Sequence, residues 1–568
     1  YACNVNTVWY ITVVMHVVEN KSLLKKKIYR STLLRESYRE NGKVKKRTIA
    51  NISHCTPGEI AAIKLALKHK DDLSVLGSLK ESIALQEGLS VGAVWAIYQT
   101  AKKLGIVKTL GTSFSGKLAL WQVIARVIDQ GSRLSAVRLA QSHAACDVLT
   151  ILRGFDENNL YENLEWLAQN QDEIEKTLYV SRGEKTLPQL FLYDVTSSYL
   201  EGKKNFFGDY GYGRDGKKGK KQIVIGLLCD EHGEAVSTEV FRGNTQDPKT
   251  FFSQVEKAEK LFGCKSVTFV GDRGMIKKAQ IDNLPDHFHY ITAITKPQIK
   301  SLIKTGVIQM ELFDEKVCEV EECGIRYVLR RNPIRAGEMA QTRMSKLQCV
   351  EKFLQQKNEY LEKHPKARVA TAQKEVEKKT SRLKLDKWLS VRSQTQGRVL
   401  FLEQDDSVLK EMSLLDGCYV IKTDLSAEEL DKQGVHDRYK DLTEVERAFG
   451  DCKTSHLEIR PIHVRSETST RGHVLVVMLS YMIIRHLRQA WEKFDMTVSE
   501  GIAQLCTLCS IEMEVKGQGT CIKIPRPREN TQKLFRALKI TLPHVLPHRE
   551  VRVVTRKKLT AQRINNSK

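Results

Sequence analysis

Hydrophobic positions along the chain fall into distinct regimes. From Pro57 apolar residues recur three to four apart, in GEIAAIKLALKHK, VGAVWAIYQTAKKLGI and KLALWQVIARVIDQ, the spacing of one face of an α-helix. The last two predict core-facing helices anchored by Trp95 and Trp121, and residues 132–143 continue the helical character. From about residue 188 the runs become short and β-branched: Leu190–Val195, 223–230, 235–243, 266–272 and 288–294. Runs of that length between turn signals predict buried strands. A helix is expected from Asp247 to about Phe262, with Asp247 as N-cap and Pro248 at the first helical position. A second is expected over 275–284. The order strand-strand-strand-helix-strand-helix-strand predicts an α/β fold with a mixed sheet.

After Lys296 the sheet pattern stops. Residues 298–417 read as an insertion, with strand-like pieces and a long charged helical stretch at about 336–386. That stretch is either a solvated arm or a DNA-contacting arm. Residues 418–423 return to strand, His436–Lys453 is expected as one helix, and the strongly apolar 469–490 as a core helix. Near the N-terminus two β-rich runs flank Asn41-Gly42, a strong hairpin signal. The expected organisation is a basic β-hairpin region at 1–55, a helical domain at 56–185, and an α/β core at 186–297 and 418–495 interrupted by the 298–417 insertion. A basic region at 496–568 closes the chain.

Candidate chemistry sits on these elements. Asp194 interrupts the first predicted strand and Asp272 ends the fourth. A carboxylate in or just after a buried strand is costly unless it is paired or holds a cation. In the 436–453 helix, Tyr439, Glu446 and Lys453 are spaced seven apart and share a face. Two aspartates and one glutamate converging would form a three-carboxylate site, which suits Mg²⁺, a hard ion that prefers oxygen ligands and substrate phosphates. The plain alternative for the helix is a solvated amphipathic face.

Charge sharpens this picture. The 568 residues carry 91 Lys plus Arg against 68 Asp plus Glu, a net +23, which points to a polyanionic partner, nucleic acid by default. The N-terminal hairpin carries Lys45, Lys46 and Arg47 among other cations, and a glycine-rich stretch at 202–222 carries Lys217, Lys218, Lys220 and Lys221. A basic ribbon can lie along DNA phosphates and a basic loop can grip them, although each is equally an exposed hairpin or a mobile loop. Thirteen scattered cysteines fit reduced thiols better than a disulfide framework. Zinc at Cys506, Cys509 and Cys521 would need a fourth ligand at a fitting spacing, which the chain does not offer. No apolar run approaches a membrane span of about 20 residues. Tyr1 is not an initiator, and residues 1–14 read as upstream translation or a fragment edge, with Met15 the alternative start.

The arrangement resembles the retroviral-integrase/RNase H-like fold of DDE transposases, and more narrowly bacterial insertion-sequence transposases of the IS-four group, in an IS-sixteen-thirty-four-like branch. The motifs are YDVTSSYLEG around Asp194, VGDRGM around Asp272, and a signature of Tyr, two residues, Arg, three residues, Glu, six residues, Lys, which Tyr439, Glu446 and Lys453 fit. Leu442 stands at the arginine position; Arg438 and Arg447 are near but off the spacing. The long span between Asp272 and Glu446, the N-terminal block and the closing REVRVVTRKKL also look typical of the group.

The resemblance implies an RNase H-like five-stranded mixed sheet, with Asp194, Asp272 and Glu446 holding two Mg²⁺, for which Mn²⁺ would substitute. It implies cleavage at transposon ends followed by strand transfer of the freed 3′-OH into target DNA. Tyr439 and Lys453 would hold the DNA end, with Arg273 a further phosphate contact. The partners implied are double-stranded DNA and a second copy of the chain, with no membrane and a cytoplasmic location. Three other readings stay open. An RNase H-like nuclease would share the carboxylates. A tyrosine recombinase would use Tyr439 with His436, Arg438 and Arg447. A decayed transposase would keep DNA binding alone.

Overall fold

The computed structural model describes residues 14–24, 27–40, 43–70, 83–182, 189–217, 219–394, 398–453, 457, 459, 462–515, 519–547, 549 and 551–556. The chain divides into two compact units. One comprises Tyr1–Ile174, Thr454–Glu458 and Thr468–Lys568, the other Glu175–Lys453 and Ile459–Glu467.

In the first unit β1 (Val14–Leu24), β2 (Lys27–Glu40) and β3 (Lys43–Asn51) form an antiparallel sheet with β2 in the middle. The expected hairpin is therefore its β2–β3 half. The Asn41-Gly42 turn and Lys25 and Lys26 lie outside the described residues. The Pro57–Lys68 helix opens with a capping box, Thr56 Oγ1 accepting from Glu59 N–H and the Glu59 carboxylate accepting from Thr56 N–H, which satisfies two orphan donors of the first turn. β4 (Ile83–Ser90) precedes the helical core. Trp121 is fully buried in the Phe114–Ile128 helix and donates to Ala136 O at 3.1 Å. Trp95, only partly buried, donates to Thr541 O at 2.9 Å.

The second unit is built on one sheet. Its strands are β5 (Leu190–Tyr199), β6 (Gln222–Asp230), β7 (Ala235–Arg242), β8 (Val267–Gly271), β9 (Phe288–Ala293), β10 (Cys318–Glu322) and β11 (Ile325–Arg331). A separate hairpin of β12 (Leu389–Ser393) and β13 (Leu400–Gln404) follows, and β14 (Cys418–Thr423) completes the sheet. The order is β10-β11-β14-β9-β8-β5-β6-β7, parallel at β9-β8-β5 and antiparallel elsewhere. The fold is the expected mixed α/β type, but the sheet has eight strands rather than five. The five expected from the early runs are β7-β6-β5-β8-β9. β14 adds to their edge, and β10 and β11, read from the sequence as part of an insertion, add beyond it. Sequence could not show this, because the pairing joins strands separated by the whole 333–417 stretch.

That stretch folds on a core of its own. The long charged run is broken into helices Pro333–Lys363 and Val369–Arg382 around Pro365, which cannot continue a helix interior. Leu347, Val350, Leu361, Val376 and Trp388 pack between them and the β12–β13 hairpin, so these helices are more than a solvated arm.

The tail returns to the first unit. β15 (Cys509–Val515) and β16 (Gly519–Lys523) pair in the order β16-β15-β4. In the closing segment Val553 forms an isolated bridge with Phe155 and Arg549 N–H donates to Asp147 at 2.7 Å; residues 550 and 557–559 lie outside the described residues. The apolar 469–490 run is buried as expected, within the helix Glu467–Trp491. No described helix is long and apolar enough to cross a membrane. No two of the twelve described cysteines form a disulfide with one another, and Cys521 Sγ donates to Glu59 Oε1 at 3.0 Å.

Candidate active site

The alternation of β5 places the site. Phe191, Tyr193 and Val195 enter a core with Phe251, Phe269 and Phe288. Side chains alternate along a strand, so Asp194 points to the opposite face, where the helix Leu442–Lys453 packs. β5 and β8 are parallel, with Tyr193 paired to Gly271 as the last register partners. The next step sets Asp194 beside Asp272 on strands about 4.8 Å apart. The sequence-derived aspartates thus meet because β8 ends in register with the middle of β5.

Asp194, Asp272 and Glu446 line one cleft of about 360 Å³, with Lys453, Arg214 and Asp247. Burial pushes the Asp194 carboxyl up to about 7; the Val195 N–H and the Arg214 charge oppose the rise, and Asp272 and Glu446 add to it. Asp272 and Glu446 are exposed. Tyr439 donates to Asp272 Oδ1 at 3.5 Å. Burial, then the Asp272 charge, holds its phenol well above the usual range.

The single helix expected over His436–Lys453 is two, Lys432–Lys440 and Leu442–Lys453, with a break at Asp441. Tyr439 therefore reaches the cleft from a different helix than Glu446 and Lys453. His436 is buried in the middle of the Lys432–Lys440 helix, bonded to Tyr419 Oη at 2.7 Å and Arg330 at 2.9 Å, a structural role. Arg438 pairs with Asp441 at 3.1 Å and Arg447 with Glu444 at 2.7 Å. Neither lines the cleft.

The guanidinium there belongs to Arg214. It pairs with Asp247 at 2.6 Å, while Asp215 accepts from Lys453 Nζ at 2.9 Å and from Tyr199 N–H at 3.1 Å. Asp247 is the first helical residue after an N-cap at Gln246, not the expected cap. Sequence reasoning missed Arg214, Asp215 and Asp247 as site residues. The sole signal was an Arg-Asp pair inside a glycine-rich loop, and its partners lie far along the chain. The lysines read from that loop do not line the cleft. Lys217 and Lys221 sit over the Tyr199 and Tyr210 rings, and Lys220 pairs with Glu201 at 3.0 Å. Lys218 lies outside the described residues. Arg273 is exposed beside Asp272, its N–H donating to Asp272 Oδ1 at 2.7 Å.

In the N-terminal sheet Arg47 opposes and pairs with Glu36 at 2.6 Å, Lys45 opposes Tyr38, and Lys46 opposes Ser37. Alternation puts Lys45 and Arg47 on one face and Lys46 on the other, so the three do not form one contact surface.

The donors fit a hard divalent cation: three carboxylates, one of them half-buried and partly desolvated at a cost that a cation would relieve. Among the described residues no group of three or more His, Cys, Asp or Glu is gathered tightly enough to hold a metal ion as it stands.

Three carboxylates brought together from the middle of β5, the end of β8 and the Leu442–Lys453 helix are a donor set that suits divalent cations beside a phosphodiester. Comparison with known proteins makes that specific. Residues 185–483 match the family described as Transposase DDE domain, and residues 19–75 match the IS1634 family transposase, N-terminal domain. The chain belongs to the DDE transposases and is IS1634-like; enzymes of this kind act on DNA and use divalent metal ions. No curated protein sequence matches it. A solved structure, the piggyBac transposase synaptic complex with hairpin DNA, aligns at 10% identity over 68% of this chain and 69% of that one, with a TM-score of 0.33, a likeness too loose to bear on this site.

Proposed function

We propose that Asp194, Asp272 and Glu446 are the catalytic carboxylates and that together they hold two Mg²⁺, with Mn²⁺ able to substitute. The metal would lower the pKa of the attacking water and stabilise the leaving 3′ oxygen. The chain's own residues prepare that chemistry. Asp194 projects from the middle of β5 and is only partly exposed, so a cation would compensate its desolvated charge better than solvent does. Tyr439 fixes the Asp272 carboxylate through its hydroxyl. Lys453, oriented by Asp215, adds positive potential where a phosphate would lie.

In this reading the enzyme cleaves at the ends of its element and joins the freed 3′-OH to target DNA, working in the cytoplasm as a dimer bound to two ends. The N-terminal sheet, through Lys45, Lys46 and Arg47, and the helical region would contact DNA. Arg273, Lys217, Lys218, Lys220 and Lys221 would contact it around the cleft. The observation that supports the reading best is the register of β5 and β8, which sets Asp194 beside Asp272 under the helix that carries Glu446.

The test is Mg²⁺-dependent cleavage of a labelled duplex carrying the flanking element end, wild type beside Asp272→Ala and Glu446→Ala. Cleavage leaving a 3′-OH and lost in both variants is expected, followed by strand transfer. Cleavage that survives both substitutions would place the active site elsewhere.

A further inference from the structure

Among the six charged residues of the cleft, one cation has no part in the reading above. Arg214 lies in the glycine-rich loop between β5 and β6. Its backbone N–H donates to Ser197 Oγ at 2.9 Å, and its Nη2 donates to Asp247 Oδ2 at 2.6 Å. The next residue, Asp215, holds Lys453 at 2.9 Å. Two adjacent loop residues thus hook the two sides of the carboxylate cleft.

The two hooks differ in depth. The Lys453 and Asp215 side chains are 12% and 4% exposed, whereas those of Arg214 and Asp247 are 28% and 33% exposed. The inner pair is a fixed strut. The outer pair faces solvent at the mouth, and an ion pair that solvent reaches costs little to open. A guanidinium is planar, permanently charged and carries five donors in a fork that matches phosphate oxygens. It lines the same cleft as Asp194, Asp272 and Glu446.

We propose that Arg214 is a phosphate-binding residue of the transposition site. On entry of a DNA strand its guanidinium exchanges Asp247 for the non-bridging oxygens of a backbone phosphate beside the carboxylates, while Asp215 keeps the loop and Lys453 in place. This rests on the assignment of Asp194, Asp272 and Glu446 as catalytic.

The full chain is tested with a duplex carrying the flanking element end, as Arg214→Ala, Arg214→Lys and Glu446→Gln. Binding is measured in EDTA across a salt series, and cleavage in Mg²⁺ under single turnover. Arg214→Ala is expected to melt with the wild type, to show a salt slope shallower by about one unit, and to cleave about 10²-fold more slowly. Arg214→Lys is expected to recover the slope and only part of the rate, because lysine lacks the fork. Unchanged slope and rate in Arg214→Ala overturn the proposal. So does equal loss of melting temperature and binding in both arginine variants, which would make Arg214 a structural clasp. Glu446→Gln separates the two levels. If it cleaves normally, the carboxylate assignment fails; if it is inactive while Arg214→Ala behaves as wild type, only the role of Arg214 fails.

Discussion

Lys453 Nζ donates to Asp215 Oδ1 at 2.9 Å, and these two side chains are nearly closed to solvent. Removing one partner of a buried pair strands the other charge, at a cost of about 3–5 kcal/mol. Asp215→Ala is therefore expected to lower the unfolding free energy by about 3 kcal/mol, measured by denaturant titration. Adding Lys453→Met should restore part of that loss, since the ammonium that has lost its Asp215 partner is gone. If the double variant is as unstable as the sum of the singles, the two groups are not coupled.

Asp194 bears the desolvation cost of a carboxylate inside a strand. Asp194→Asn keeps the shape and removes the charge. In EDTA above neutral pH it should melt higher than the wild type, by about 2–4 °C for each kcal/mol recovered. In millimolar Mg²⁺ the order should reverse, because only the wild type gains stability from binding the ion. A scanning fluorimetry series with and without Mg²⁺ reads both signs.

Gly472 lies inside the Glu467–Trp491 helix, where alanine would ordinarily add about 1 kcal/mol of helix propensity. Here a Cβ would stand 2.0 Å from Leu164 O. Gly472→Ala should instead destabilise by about 1–3 kcal/mol through overpacking, seen as a lower denaturation midpoint. A rise in the midpoint would mean the two helices separate readily.

On the N-terminal sheet Lys46 and Arg47 face opposite ways, and Arg47 is engaged by Glu36. Lys46→Ala should reduce the salt slope of duplex binding by about one unit. Arg47→Ala should change it less, because its charge is already partly neutralised. Equal slopes for both variants would count against contact through the Lys46 face.

Much of this was legible from residues alone. The strands of the early sheet and the apolar 469–490 helix follow from periodicity, and burial cost and motif spacing singled out Asp194, Asp272 and Glu446, which the fold brings to one cleft; all of these are local signals. Reading His436–Lys453 as one helix failed because the break at Asp441 leaves the apolar rhythm on either side intact. The lysine-rich loop attracted attention for its charge, whereas its contribution to the cleft is Arg214 and Asp215.

The sequence by itself determined which segments are strand or helix, and which side chains cannot be buried without a partner, because those follow from side-chain chemistry and spacing along a few turns. Only the tertiary structure decided that β10 and β11 belong to the main sheet, that Asp194 and Asp272 meet in register, and that Arg214 supplies the guanidinium of the cleft. Each depends on pairing between residues distant in the chain, and the free energy of such contacts leaves no periodic trace in the sequence.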